Sequence, residues 1–242
     1  MKWIRFIAIM AIILSLNGCA KSKVDQNNDL GSGDKSNLPV SLDLLIEHAE
    51  YCKTIYDGGG SEKDNVAFEV KQDNGISIIV IRGTANAENV QSDIDIRLVT
   101  DDDLGIRLHK GFRDASVTVM SGINESSLEK TVHVTGHSLG GAIAQIIGMW
   151  LHRKYHNVQI FSYGSPKVSS QVLSSGQPTH WRVVRRSDPI PFTPPWPYAH
   201  TGLFIDSVSL DWGPDNDNGL ISKTDGLDHA IAKYVETLKA QL

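Results

Sequence analysis

Apolar residues follow two periods along this chain. Leu42, Leu45, Ile46, Ala49 and Tyr56 keep helical spacing, with Ser41 placed to cap the first turn and Gly58-Gly59-Gly60 to end the element. Val66 to Val70 alternates as a strand does, and Asn74-Gly75 signals a two-residue hairpin turn. Ile76 to Ile81 then reads as a buried central strand ending at Arg82-Gly83-Thr84. Phe112, Ala115, Val119 and Ile123 mark a second helix. Val132 to Thr135 predicts a strand, and Ala142 to Leu151 a strongly apolar helix. Further strands are predicted over Val158 to Tyr163, Trp181 to Val184 and, late in the chain, Leu203 to Leu210. Ile231, Tyr234, Val235 and Leu238 place a final helix on the core. Strands alternating with helices predict one α/β domain over residues 40–242, its mostly parallel sheet flanked by helices. Thr84, Ser138, Ser165 and Asp188 all follow predicted strands. They are expected to converge on the crevice at the strand C-terminal ends.

The first forty residues follow neither period. Lys2 and Arg5 precede an apolar run from Phe6 to Leu16, too short to span a bilayer, so residues 1–18 read as an export signal. Leu16-Asn17-Gly18-Cys19 resembles the bacterial lipoprotein cleavage box. That resemblance implies cleavage before Cys19, lipid attachment there and anchoring to a membrane after export from a bacterial cell. With Ala20 next, the outer membrane is favoured, and plain secretion is the alternative. Residues 19–39 are polar and read as a flexible tether. Losing Lys2 and Arg5 with residues 1–18 would move the formal charge from −5 to −7, which gives no electrostatic reason to bind nucleic acid. With Cys19 taken by the expected lipid, Cys52 stands alone, so no internal disulfide is expected. It reads as a small buried apolar residue.

The chemistry gathers at Gly136-His137-Ser138-Leu139-Gly140-Gly141, which joins a predicted strand to a predicted helix. That context and the Gly-x-Ser-x-Gly pattern read as a nucleophile elbow, with Ser138 in a sharp turn over a helix N-terminus. A serine hydroxyl needs a histidine to take its proton and a carboxylate to orient that histidine. Asp188 ends a strand within Arg186-Ser187-Asp188-Pro189-Ile190-Pro191, where the prolines stiffen the loop. Two histidines compete for the base: His229, after Asp228 at the start of the last helix, is favoured, and His200 in Tyr198-Ala199-His200 is the alternative. The Leu139 N–H is expected to serve as one oxyanion donor and Thr84 as a second. Asp211 to Gly219 is rich in Asp and Asn, but Pro214 stands at the first ligand position of a calcium-loop pattern, so no metal is expected.

Several further segments stand in an order that resembles the class 3 (fungal-type) lipases of the α/β-hydrolase superfamily. They are Ile81-Arg82-Gly83-Thr84, His109-Lys110-Gly111-Phe112, the elbow, Phe161 through Val168, Arg182 through Pro191, and Asp228-His229. The resemblance implies the α/β-hydrolase fold, a Ser138–Asp188–His229 triad, oxyanion donors at Thr84 and Leu139, and a structural role for His109. The segment Ala85 to Asp103 stands where that family's lid begins, yet carries Asn, Gln and many Asp. The family's usual disulfides are missing.

The expected function is serine carboxylic-ester hydrolysis of lipid esters through an acyl-enzyme, with no cofactor. Phospholipase A1 and feruloyl or other carbohydrate esterase activities are the alternatives among enzymes. A non-catalytic lipid-binding surface lipoprotein is the alternative from another class. The expected partners are the ester substrate and a membrane surface reached through the lipid anchor, and a monomer is expected. Phe192, Trp196 and Tyr198 read either as pocket lining or as core.

Overall fold

The computed structural model describes residues 37–63, 66–83, 95–154, 157–171, 176–214 and 227–242. The expected export signal, Cys19 and the tether up to residue 36 lie outside these residues. So do Thr84 and most of the acidic loop 211–219. Helix α1 (Leu42–Thr54) begins where the spacing predicts. Ser41 holds the N-cap position in extended backbone (φ −61°, ψ 134°), but its side chain makes no capping hydrogen bond. Burial of Leu45, Ile46, Ala49 and Cys52 holds the helix instead.

Strands β1 (Ser61–Lys63), β2 (Val66–Asp73) and β3 (Ile76–Ile81) run antiparallel at the entry of the sheet. Between β2 and β3, Asn74 and Gly75 both take positive φ (47° and 77°), as a type I′ hairpin turn requires. A separate ribbon of β4 (Leu98–Asp101) and β5 (Ile106–His109) follows, then helix α2 (Lys110–Met120). The ribbon occupies part of the segment expected to begin a lid. Its turn is fixed by the Asp101 carboxylate, which accepts the Leu104 N–H at 3.0 Å, and by Gly105 at φ 69°.

Strand β6 (Thr131–His137), helix α3 (Leu139–His152), β7 (Asn157–Tyr163) and β8 (Thr179–Val184) carry the parallel centre. Strand β9 (Leu203–Asp206), β10 (Trp212–Gly213) and helix α4 (Ile231–Lys239) complete the domain. The expected strand over Leu203 to Leu210 is therefore split. The Asp206 carboxylate accepts the N–H groups of Val208 (2.8 Å) and Ser209 (3.3 Å), and Leu210 turns to φ 60°. These bonds offer the backbone a turn in place of the ladder.

Among the described residues the sheet has the order β1-β2-β3-β6-β7-β8-β9-β10, parallel from β3 to β9. Helices α1 and α4 pack on one face with Phe161, Tyr163, Trp181 and Val183. Helices α2 and α3 cover the other, over Ile79, Ile81, Val132, Val134 and Ile160. Helix α3 is buried on almost every side, which explains its apolar run without a polar stripe. Truncating one of its isoleucines to alanine would cost about 2–5 kcal/mol. The pairings Ile81–Gly136, Gly136–Ser162 and Tyr163–Val183 bring the C-terminal ends of four strands side by side, and Ser138 and Asp188 stand beyond them.

Candidate active site

Ser138 sits between β6 and α3 with φ 58° and ψ −129°, a conformation that costs an L-residue about 1–3 kcal/mol. The surroundings enforce it. The Ser138 N–H donates to the Tyr163 carbonyl at 3.0 Å, while the Ser138 carbonyl accepts the Gly141 N–H at 2.9 Å. A Cβ on Gly136 would fall on the Gly140 carbonyl, and one on Gly140 on the Ile81 carbonyl. The glycines of the motif are thus required by close backbone approach between β3, β6 and α3.

The Ser138 hydroxyl lies 2.8 Å from His229 Nε2. On the other side of the ring, His229 Nδ1 lies 2.7 Å from Asp188 Oδ2. Asp188 is fully buried and accepts two further hydrogen bonds, from the Tyr234 hydroxyl (2.6 Å, to Oδ2) and from the Ile190 N–H (2.9 Å, to Oδ1). Burial, followed by the Asp188 charge, pushes the Tyr234 phenol well above its usual pKa, so it remains a donor. A carboxylate held by three donors fixes the tautomer of His229 with its proton on Nδ1 and its lone pair toward Ser138. Leu139 opens α3, so its N–H is among the first-turn amides the helix leaves unused. With Thr84 outside the described residues, Leu139 is the described member of the expected oxyanion pair.

His200 and His109 lie away from the Ser138 hydroxyl. His200, the alternative base, is buried; burial first, then Arg182 and Lys167, hold its pKa well below the usual value. It is His229 that reaches Ser138. His109 stacks on Phe112 (centroids 3.8 Å apart), and its Nδ1 accepts the Phe112 N–H at 3.4 Å at the start of α2, so its role is structural. Cys52 is buried against Thr135, and desolvation pushes its thiol up to about 12, which makes it inert. Tyr198 is buried with its hydroxyl bonded to the Ile96 carbonyl, Phe192 is half-buried, and Trp196 is 90 % exposed and belongs to no core. Among the described residues no group of three or more His, Cys, Asp or Glu side chains is placed to hold a metal ion.

Sequence reasoning missed Tyr234 as a ligand of the acid and treated Tyr56 as helix packing. Tyr56 bonds His137 at 3.0 Å. The usable signal was chemical: a tyrosine at a buried position needs a partner for its hydroxyl.

A family model for class 3 lipases matches residues 78–198. The chain is 32 % identical over 167 residues to a secreted mono- and diacylglycerol lipase of Fusarium solani, covering 62 % of this chain and 50 % of that one. It is 30 % identical over 156 residues to a lipase of Rhizomucor miehei, covering 57 % and 42 %. The chain thus spans about half the length of the curated relatives it matches. Among solved structures, the Rhizomucor miehei triacylglyceride lipase superposes with a TM-score of 0.64 at 21 % identity, over 81 % of this chain and 94 % of that one. A lipase from Rhizopus microsporus var. chinensis also gives 0.64, at 18 % identity, over 88 % and 95 %. At these identities the likeness speaks for the α/β-hydrolase fold.

The comparisons correct the expected localisation. The relatives are fungal, and the Fusarium protein is named as secreted. They point to secretion of the eukaryotic kind, against bacterial export with a lipid anchor at Cys19. Half of the chain matches the family model, centred on the elbow and its flanking strands, and the chain belongs to the class 3 lipase family.

Proposed function

We propose that the protein is a serine carboxylic-ester hydrolase acting on lipid esters. The observation that carries this reading is the Ser138–His229–Asp188 relay, with contacts of 2.8 and 2.7 Å, on a strained turn at a helix N-terminus. His229 Nε2 takes the Ser138 proton as Oγ attacks the ester carbonyl carbon. The carbonyl oxygen becomes an oxyanion, for which Leu139 N–H and Thr84 are the proposed donors. His229 then gives its proton to the leaving alcohol, and the C–O bond breaks to leave an acyl-Ser138. Water, deprotonated by His229, attacks the acyl carbon, and His229 returns that proton to Ser138 Oγ as the acyl C–O bond breaks and the carboxylic acid leaves. Asp188 steadies the imidazolium in both halves, its own charge spread over bonds from Tyr234 and Ile190.

The names of the fungal relatives favour acylglycerols over phospholipids or carbohydrate esters as substrates. The intact relay speaks against a purely lipid-binding role. Residues 1–18 are proposed as the leader for secretion and 40–242 as the hydrolase domain. All three triad residues come from one chain, so a monomer suffices. The test is labelling by a fluorophosphonate at Ser138, followed by hydrolysis of emulsified mono-, di- and triacylglycerols beside a soluble p-nitrophenyl ester. Labelling lost in Ser138→Ala and turnover of acylglycerols are expected. Absence of both labelling and ester turnover would overturn the proposal.

A further inference from the structure

Helix α1 with its following turn and strand β6 face one another through three side-chain rungs. His48 Nε2 stands 3.0 Å from His133 Nδ1, Cys52 Sγ 3.3 Å from Thr135 Oγ1, and the Tyr56 hydroxyl 3.0 Å from His137 Nδ1. Four helical residues advance about 6 Å, and two strand residues about 6.6 Å. The rungs therefore stay in register along the whole contact. The third does not end at the strand. His137 Nε2 lies 2.6 Å from the backbone carbonyl oxygen of His229. The two imidazole rings pack with centroids 4.6 Å apart and planes 34° apart.

The donor and acceptor chemistry of this rung is determined. A carbonyl only accepts, so Nε2 of His137 carries a proton. With Nε2 protonated, the neutral ring that burial favours leaves Nδ1 as an acceptor, and the Tyr56 O–H 3.0 Å away donates to it. A ring that donates at Nε2 and accepts at Nδ1 is neutral. Burial agrees with this: desolvation first, then the neighbouring His229, holds the pKa of His137 well below the usual histidine value. The groups facing the ring are Tyr56, His229 and the edge of Tyr234, and none supplies a negative charge in contact with it.

We propose that His137 is a positioning residue for the base: as the neutral Nε2–H tautomer fixed by Tyr56, it hydrogen-bonds the backbone carbonyl of His229 and thereby sets that imidazole over the Ser138 hydroxyl. The inference rests on reading His229 as the general base. Asp188 orients the ring through Nδ1, and His137 holds the backbone from which the ring hangs. The two restraints act on different atoms of one residue. Neutrality serves the chemistry as well. A charged ring at 137 would oppose the imidazolium that forms on His229 when it takes the serine proton.

The test uses the full-length protein and p-nitrophenyl butyrate, a soluble ester. His137→Phe keeps an aromatic ring and removes the donor; His137→Gln restores a terminal N–H near the Nε2 position. His137→Phe is expected to lower kcat by about 10–100-fold, the scale of a modest misplacement of a reacting group, with KM within about twofold. His137→Gln is expected to recover most of that loss. Histidine ¹⁵N spectra of the wild type should show His137 protonated at Nε2 alone from pH 5.5 to 8.5. A wild-type kcat in His137→Phe, a loss confined to KM, an Nδ1-protonated ring or a ring that titrates within that range would each overturn the inference. If His137→Phe does not fold, the Gln variant and the spectra still decide. Ser138→Ala separates the two levels: full activity there sinks the triad, whereas an inactive Ser138→Ala beside an unaffected His137→Phe sinks only this proposal.

Discussion

Lowering the pH from 7.5 to 5.0 should destabilise the domain through histidines buried in their neutral form. Burial, with the neighbouring His133 second, brings His48 down from 6.5 to about 3, and burial, with Arg182 second, brings His180 down to about 3. The unfolded chain binds protons at both sites below about pH 6.5, while the native state does not until about pH 3. Stability is therefore full above the unfolded pKa and is lost as pH falls below it, at about 1.4 kcal/mol per pH unit and per histidine. Integrated from pH 7.5 to 5.0, each site costs about 2 kcal/mol, and the pair about 4 kcal/mol. That is a large share of a typical 5–15 kcal/mol stability. Staying above pH 5 keeps the carboxylates of the unfolded chain ionised, so they do not imitate the effect. Urea unfolding followed by circular dichroism at the two pH values measures the difference directly. His48→Leu removes one proton-binding site and should shrink the pH 7.5-to-5.0 difference by about 2 kcal/mol, whatever it does to stability at pH 7.5. Equal unfolding free energies at the two pH values, or an undiminished difference in His48→Leu, would refute the reasoning.

Ser138→Ala should lower kcat by about 10⁴–10⁶ with the fold intact, read by ester hydrolysis and circular dichroism. Tyr234→Phe removes one of the bonds to Asp188 and should lower stability by about 1.5–3 kcal/mol in urea unfolding, with kcat falling more than KM changes. Gly140→Ala places a methyl on the Ile81 carbonyl and should cost about 3 kcal/mol or more, or prevent folding, as read by the yield of soluble protein and its unfolding midpoint. The Cys52 thiol should resist a thiol-reactive disulfide reagent in the native protein and react once urea unfolds it; rapid native labelling would contradict its burial.

The parts legible in the sequence are those where local and global demands agree. Ile76 to Ile81 is apolar at nearly every position because β3 is covered on both faces, and the run after Ser138 is apolar almost throughout because α3 is surrounded. The elbow was legible because its glycines answer a backbone collision that no side chain can avoid. Asp188 was legible from chain order and from the prolines behind it. His229 was favoured over His200 only by its placement before the last helix, since both lie in segments beyond the acid. What separates them is tertiary: His229 Nε2 lies 2.8 Å from the Ser138 hydroxyl, whereas His200 is buried, its charged form disfavoured by Arg182 and Lys167. The β4–β5 ribbon escaped because its strands are four residues long with two apolar residues each and flank an acidic turn that reads as loop. The late strand was drawn too long because nothing in Leu203 to Leu210 announces that Asp206 will take the following amides for a turn.

A strained serine survives only where its surroundings leave it no cheaper conformation. Here the constraint comes from three directions. Strand β7 takes the Ser138 N–H, the first turn of α3 takes its carbonyl, and the backbone of β3 closes on Gly140. None of these touches the histidine that must meet the hydroxyl. That residue comes from the other end of the domain, and it arrives through Asp188, Tyr234 and the His137 rung. Two of those contacts lead back to segments that carry no triad member: Tyr234 to α4 and, through Tyr56, His137 to the turn that follows α1. The outer helices on this face therefore do more than bury apolar surface. On the proposed reading of the triad, Tyr234 on α4 and Tyr56 just after α1 hold the groups that position the base, which ties the packing of these helices to the proposed chemistry.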